Sequence, residues 1–237
     1  MSERVVEAEA RITDLRVLTV GPEDAKALVV LAHGFEMTPE DLSPFARSLG
    51  ADARFYFPEA PLAAETRGRA FWPIDLAARA AALTHGPRDL AGEHPPGLPA
   101  ARARFAELVV ELEREAGDRP IVVGGFSQGG MLTMDTLLRG GVTVDAAVLL
   151  STSRIAWDEW QPHAAKLAGL PVLIAHGRAD ADLSFAAGDA LRAFLVDAGA
   201  DVTWVPHDAG HQIPLPVWRQ LRRFLAAVTA RGRTRPR

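Results

Sequence analysis

Three side chains with the chemistry of acyl transfer follow one another along the sequence. Ser127 stands in Gly125-Phe126-Ser127-Gln128-Gly129, Asp180 in His176-Gly177-Arg178-Ala179-Asp180-Ala181-Asp182, and His211 in Ala209-Gly210-His211-Gln212-Ile213-Pro214. A serine hydroxyl is a weak nucleophile near neutral pH, so it needs an imidazole to take its proton and a carboxylate to fix that imidazole's tautomer. The order serine, acid, histidine is one of the three chain orders in which this constellation recurs.

The choice among candidates follows from local context. After Ser127 the histidines are His163, His176, His207 and His211. His176 ends an apolar run, His163 sits beside Pro162 in a polar helical stretch, and His207 follows Pro206 at the end of an expected strand. His211 falls in a loop where Gly210 permits an unusual backbone and Pro214 limits helix continuation, so it is the expected base. Asp180 is the expected acid. Asp182 is close enough to exchange roles with it, and either could be a turn residue bonding its own backbone.

An oxyanion needs donors. The Gln128 amide opens the helix after Ser127, where unpaired N–H groups and the positive end of the helix dipole meet developing negative charge. A second donor is expected from the backbone N–H of Phe35, in His33-Gly34-Phe35-Glu36 after an early strand. A glycine-rich strand-to-helix turn can also merely pack tightly or cradle a phosphate. Here no Gly-Lys-Ser/Thr ending follows, and the glycines do not fall in Gly-x-Gly-x-x-Gly.

These residues must be carried by strands and helices in alternation. Apolar runs predict strands over residues 15–20, 27–32, 54–57, 121–125, 146–150, 172–176 and 202–205, and the runs around Val122 and Val148 lack alternation, as strands buried on both faces do. Helices are expected over 39–49, with Thr38 as cap and Pro39 at the first position, over 99–116, from 131 to 138 after Ser127, over 186–198 and over 216–229. The pattern predicts an α/β fold with a mostly parallel sheet flanked by helices. Residues 59–98, rich in Pro, Gly and Ala, are expected as an excursion over the rim of the active site, in which Phe71 and Trp72 are candidates for an apolar substrate wall together with Met131. Residues 231–237 form a basic tail expected to be solvated.

Composition narrows the chemistry further. The 237 residues fit one domain, and a net charge of -4 offers no basic field for nucleic acid. There is no cysteine, which excludes disulfides, thiolate metal sites and a cysteine nucleophile. The N-terminal residues lack the apolar stretch of a secretory signal and no run is long enough to span a bilayer, so a cytoplasmic protein is expected. The mechanism calls for no metal and no organic cofactor, and composition leaves a homodimer open.

The sequence resembles the phospholipase/carboxylesterase group of α/β hydrolases, which includes acyl-protein thioesterases and small bacterial carboxylesterases. Leu31-Ala32-His33-Gly34-Phe35 is similar to the group's oxyanion segment, Gly125-Phe126-Ser127-Gln128-Gly129-Gly130 to its nucleophile elbow, His176-Gly177-Arg178-Ala179-Asp180 to its acid loop, and Gly210-His211-Gln212-Ile213-Pro214 to its histidine loop. The resemblance implies a Ser127, Asp180 and His211 triad, Phe35 and Gln128 as oxyanion donors, and a small-molecule ester as substrate. One departure falls beside the acid, where the group usually continues with Pro and a Val-Pro-like stretch and this chain has Ala181-Asp182-Leu183-Ser184. Two alternatives stay open: hydrolysis of thioesters or lysophospholipids, which for a protein-borne acyl group needs an open groove, and a non-catalytic scaffold that binds a small ligand.

Overall fold

The computed structural model describes residues 7–233. In chain order the strands are β1 (Glu7–Ile12), β2 (Leu15–Val20), β3 (Leu28–Ala32), β4 (Arg54–Pro58), β5 (Leu62–Ala63), β6 (Arg69–Ala70), β7 (Ile121–Phe126), β8 (Ala146–Leu150), β9 (Pro171–Gly177) and β10 (Asp201–His207). The helices are α1 (Pro39–Leu49), α2 (Leu76–Leu83), α3 (Leu98–Ala116), α4 (Gln128–Arg139), α5 (Trp157–Trp160), α6 (Phe185–Asp197) and α7 (Leu215–Arg231), with a 3-10 segment over Gln161–Leu167 after α5.

Eight strands form one sheet in the order β1-β2-β4-β3-β7-β8-β9-β10, antiparallel at β1, β2 and β4 and parallel from β4 to β10. Side chains alternate between its faces. Leu28, Val30, Ile121 and Val123 pack with α3, α4 and α6, while Val29, Leu31, Val122 and Val148 pack with α1 and α7. That double cover is why β3, β7 and β8 read as unbroken apolar runs. Helix α1 begins at Pro39, and the Asp41 carboxylate accepts the Thr38 N–H at 2.8 Å, closing the first turn.

The parallel strands place the chemistry. Ser127 follows the carboxyl end of β7, the Phe35 loop that of β3, Asp180 that of β9 and His211 that of β10. Side chains distant in sequence thus converge at one end of the sheet, where ligand crevices of open α/β sheets lie. Ser127 stands near the middle of the sheet and His211 at its β10 edge.

The structure departs from the sequence expectation in four places. Strand β1 is an exposed, charged edge partner of β2, so the apolar signal that marks buried strands is missing from it. The excursion 59–98 carries the β5–β6 hairpin and α2, an Ala-rich helix with no buried residue, capped by the Asp75 carboxylate accepting the Ala78 N–H at 2.9 Å. Helix α5 and the 3-10 segment pack Trp160 and Leu167 into the core. Of the expected basic tail, Arg231 closes α7 and residues 234–237 lie outside the described residues. Among the described residues no helix is long and apolar enough to cross a membrane.

Candidate active site

Ser127 has φ 53° and ψ −115°, a conformation that a non-glycine residue keeps only where its surroundings hold it. They do so through its backbone: its N–H donates to the Leu150 carbonyl at 2.9 Å, and its own carbonyl accepts from Gly130 N–H at 3.0 Å and from the Thr152 hydroxyl at 2.9 Å. The turn is also sterically closed. A Cβ at Gly125 would lie 2.3 Å from the Gly129 carbonyl carbon, and one at Gly129 would lie 2.2 Å from the Ala32 oxygen, so only glycine lets α4 start this close to β3 and β7. Gln128 is the first residue of α4, where a helix leaves its amides without intrahelical acceptors.

Asp180 and His211 meet across two loops. His211 Nδ1 lies 2.7 Å from Asp180 Oδ2, while Asp180 Oδ1 accepts the N–H groups of Asp182 and Leu183, each at 2.9 Å. Burial penalises the Asp180 carboxylate, but the His211 hydrogen bond and charge and the two amides outweigh it, holding the group below the ordinary carboxylate range. An ionised acceptor at Nδ1 makes that nitrogen the protonated one and leaves Nε2 as the basic face of the ring. The imidazole is steadied by the Phe126 ring, 4.9 Å away between centroids, and its loop by Trp218, whose indole N–H donates to the Ile213 carbonyl at 3.0 Å.

His176 is fully buried behind Asp180, with Nε2 3.0 Å from the Leu183 carbonyl and 3.4 Å from Asp180 Oδ2. His207 packs against Gly177, away from the cavity. Asp182 does not share the role of Asp180: its carboxylate is bound by Arg79 at 2.9 Å and by Arg88 at 2.6 Å.

Ser127 and His211 open into one cavity of about 550 Å³. Phe35, Met131, Ile155 and Leu183 line it, and the excursion adds Trp72, Ala78, Ala82, Leu90 and Pro95 to the lining. Trp72 and Met131, candidates for the substrate wall in the sequence, both line this cavity. Phe71 does not line this cavity and is corrected: its ring is buried in the core, with its centroid 5.2 Å from that of His33. The Gln128 carboxamide accepts the Phe71 N–H and donates to the Trp72 carbonyl, both at 2.9 Å. No feature of the sequence signals this second use of Gln128, nor the pairing of Arg79 and Arg88 with Asp182.

The Phe35 loop is held from the excursion as well. Glu36 N–H donates to the Arg69 carbonyl and Arg69 N–H to the Met37 carbonyl, each at 3.0 Å. His33 donates from Nδ1 to the Gly34 carbonyl at 2.8 Å and accepts the Ala60 N–H at Nε2 at 3.1 Å, so it is a structural strut under this loop. Among the described residues the Phe35 N–H meets no acceptor.

Solved structures of similar architecture include esterases and a thioesterase. A carboxylesterase from Mesorhizobium loti superposes with a TM-score of 0.73 at 23% identity, over 93% of this chain and 98% of its own. Esterase PE8 gives 0.70 at 25% identity, over 86% and 93%, and the Zea mays acyl-protein thioesterase 2 gives 0.69 at 21%, over 90% and 99%. No curated protein sequence matches the chain. The sequence profile described as Phospholipase/Carboxylesterase matches residues 96–229, a stretch that holds the β7 elbow and both loops behind Asp180 and His211. With more than half of its length inside that profile, the chain belongs to the phospholipase/carboxylesterase family and is a carboxylic ester hydrolase of the α/β-hydrolase fold.

Proposed function

We propose that the protein is a serine carboxylesterase that hydrolyses small to medium acyl esters through Ser127, His211 and Asp180. The observation that carries this reading is the 2.7 Å bond to Asp180 from His211, which lines the same cavity as the strained Ser127. His211 Nε2 takes the Ser127 proton as Oγ bonds to the ester carbonyl carbon, whose π electrons move onto oxygen. The N–H groups of Phe35 and Gln128 receive that oxyanion. Collapse breaks the ester C–O bond, the leaving alkoxide takes the proton from His211, and the acyl group stays on Ser127. Water then repeats the sequence, giving its proton to His211 and releasing the acid.

Small esters are favoured over acyl groups carried on proteins because the excursion stands over the cavity as a wall tied to the acid loop. The test is hydrolysis of p-nitrophenyl esters from acetyl to dodecanoyl by the wild type and by Ser127→Ala, with circular dichroism to check that both fold. A loss of about 10⁴-fold or more in kcat for the folded variant is expected. Equal rates in the two proteins would refute the role given to Ser127.

A further inference from the structure

The cluster of Arg79, Arg88 and Asp182 has no part in the steps above, yet it is built into the cavity wall. Asp182 Oδ2 accepts from Arg79 Nη2 at 2.9 Å and Oδ1 from Arg88 Nη2 at 2.6 Å, with the carboxylate side chain only 16% exposed and that of Arg88 15%. Both guanidiniums come from the excursion, one from α2 and one from the stretch that follows it. The main chain repeats the tie. Arg88 N–H donates to the Asp182 carbonyl and Ser184 N–H to the Arg88 carbonyl, both at 2.9 Å, so Arg88 lies alongside Leu183 as an isolated β-bridge.

Asp182 therefore faces two ways. Its carboxylate holds the excursion, while its own N–H donates to Asp180 Oδ1 at 2.9 Å, beside the oxygen that receives His211. Burial disfavours the Asp182 carboxylate, but the two guanidiniums outweigh that cost and keep it ionised. Ala78, Ala82 and Leu90, carried by the same excursion, line the cavity into which Ser127 opens.

We propose that Asp182 is a specificity-determining positioning residue: with Arg79 and Arg88 it clasps α2 and the stretch after it to the acid loop, fixing the depth of the substrate cavity and confining the enzyme to short and medium acyl chains. This inference rests on the hydrolase reading above. Release of the clasp lets the wall move outward, so longer chains gain access while the nucleophile and base stay in place.

The experiment measures kcat and KM for acetyl, butyryl, octanoyl and dodecanoyl p-nitrophenyl esters with the wild type, Asp182→Asn, Arg79→Gln, Arg88→Gln and Ser127→Ala. In Asp182→Asn the ratio of dodecanoyl to butyryl kcat/KM is expected to rise about tenfold, chiefly through KM, since pocket walls discriminate by about that much per increment of fit. Arg88→Gln is expected to shift the ratio in the same direction, and it carries the test with Arg79→Gln if Asp182→Asn does not fold. A chain-length profile identical to the wild type in folded clasp variants, with Ser127→Ala inactive, overturns the clasp and leaves the esterase reading standing. Activity surviving in Ser127→Ala overturns the esterase reading and the clasp with it.

Discussion

His33 and His176 are fully buried, one under the Phe35 loop and one behind Asp180. Burial is the main cause that pushes both below the ordinary imidazole value of 6.5, against the opposing pull of the Gly34 carbonyl and nearby Asp41 and Glu59 for His33, and of the Leu183 carbonyl and Asp180 for His176. The sign follows from linkage. Between the unfolded value near 6.5 and the lower folded value the unfolded chain binds more protons, so the stability from each ring is complete above that range and is lost as the pH falls through it. Urea unfolding from about pH 7.5 to about pH 5 is expected to show stability falling by up to roughly 1.4 kcal/mol per pH unit for each histidine. A flat profile over that interval would mean that neither ring is held neutral. His33→Gln, which keeps an acceptor for the Ala60 N–H without a titrating ring, is expected to flatten part of the slope.

Helix α4 does two tasks from its first turn. Its first turn follows Ser127 directly, and its Gln128 carboxamide bridges the main chain of Phe71 and Trp72. Gln128→Ala leaves a buried N–H and a buried carbonyl without partners and is expected to cost about 2 kcal/mol or more, with KM rising as Trp72 loosens. Unfolding within about 0.5 kcal/mol of the wild type, together with an unchanged KM, would show the bridge to be idle. The sequence makes legible those elements whose physics is local. Buried central strands announce themselves as apolar runs, α1 through Thr38 and Pro39, and the elbow through glycines that β3 and α4 require. Strand β1 escapes because its Glu7, Glu9 and Arg11 face solvent, and α2 because an Ala-rich helix that buries nothing has no apolar stripe. The ties of Arg79 and Arg88 to Asp182 join positions 103 and 94 residues apart, and nothing in either segment specifies its partner.

Across the whole molecule the site is divided between regions of unequal protection. Ser127 rises from β7, a strand buried along its length with neighbours on both sides. His211 hangs from β10, which is hydrogen-bonded to a strand on one side only and is partly exposed throughout. Local opening draws on the least protected elements first. On warming, ester hydrolysis is therefore expected to fade at a lower temperature than the near-ultraviolet signal of the packed tryptophans. Amide hydrogen exchange should likewise be faster in β10 and the His211 loop than in β7 and β8, and coincident inactivation and unfolding with uniform exchange would contradict this. From the edge position of β10, heat inactivation is expected to begin as a separation of His211 from Ser127 rather than as a collapse of the fold, so that activity assayed after cooling outlasts activity assayed while hot.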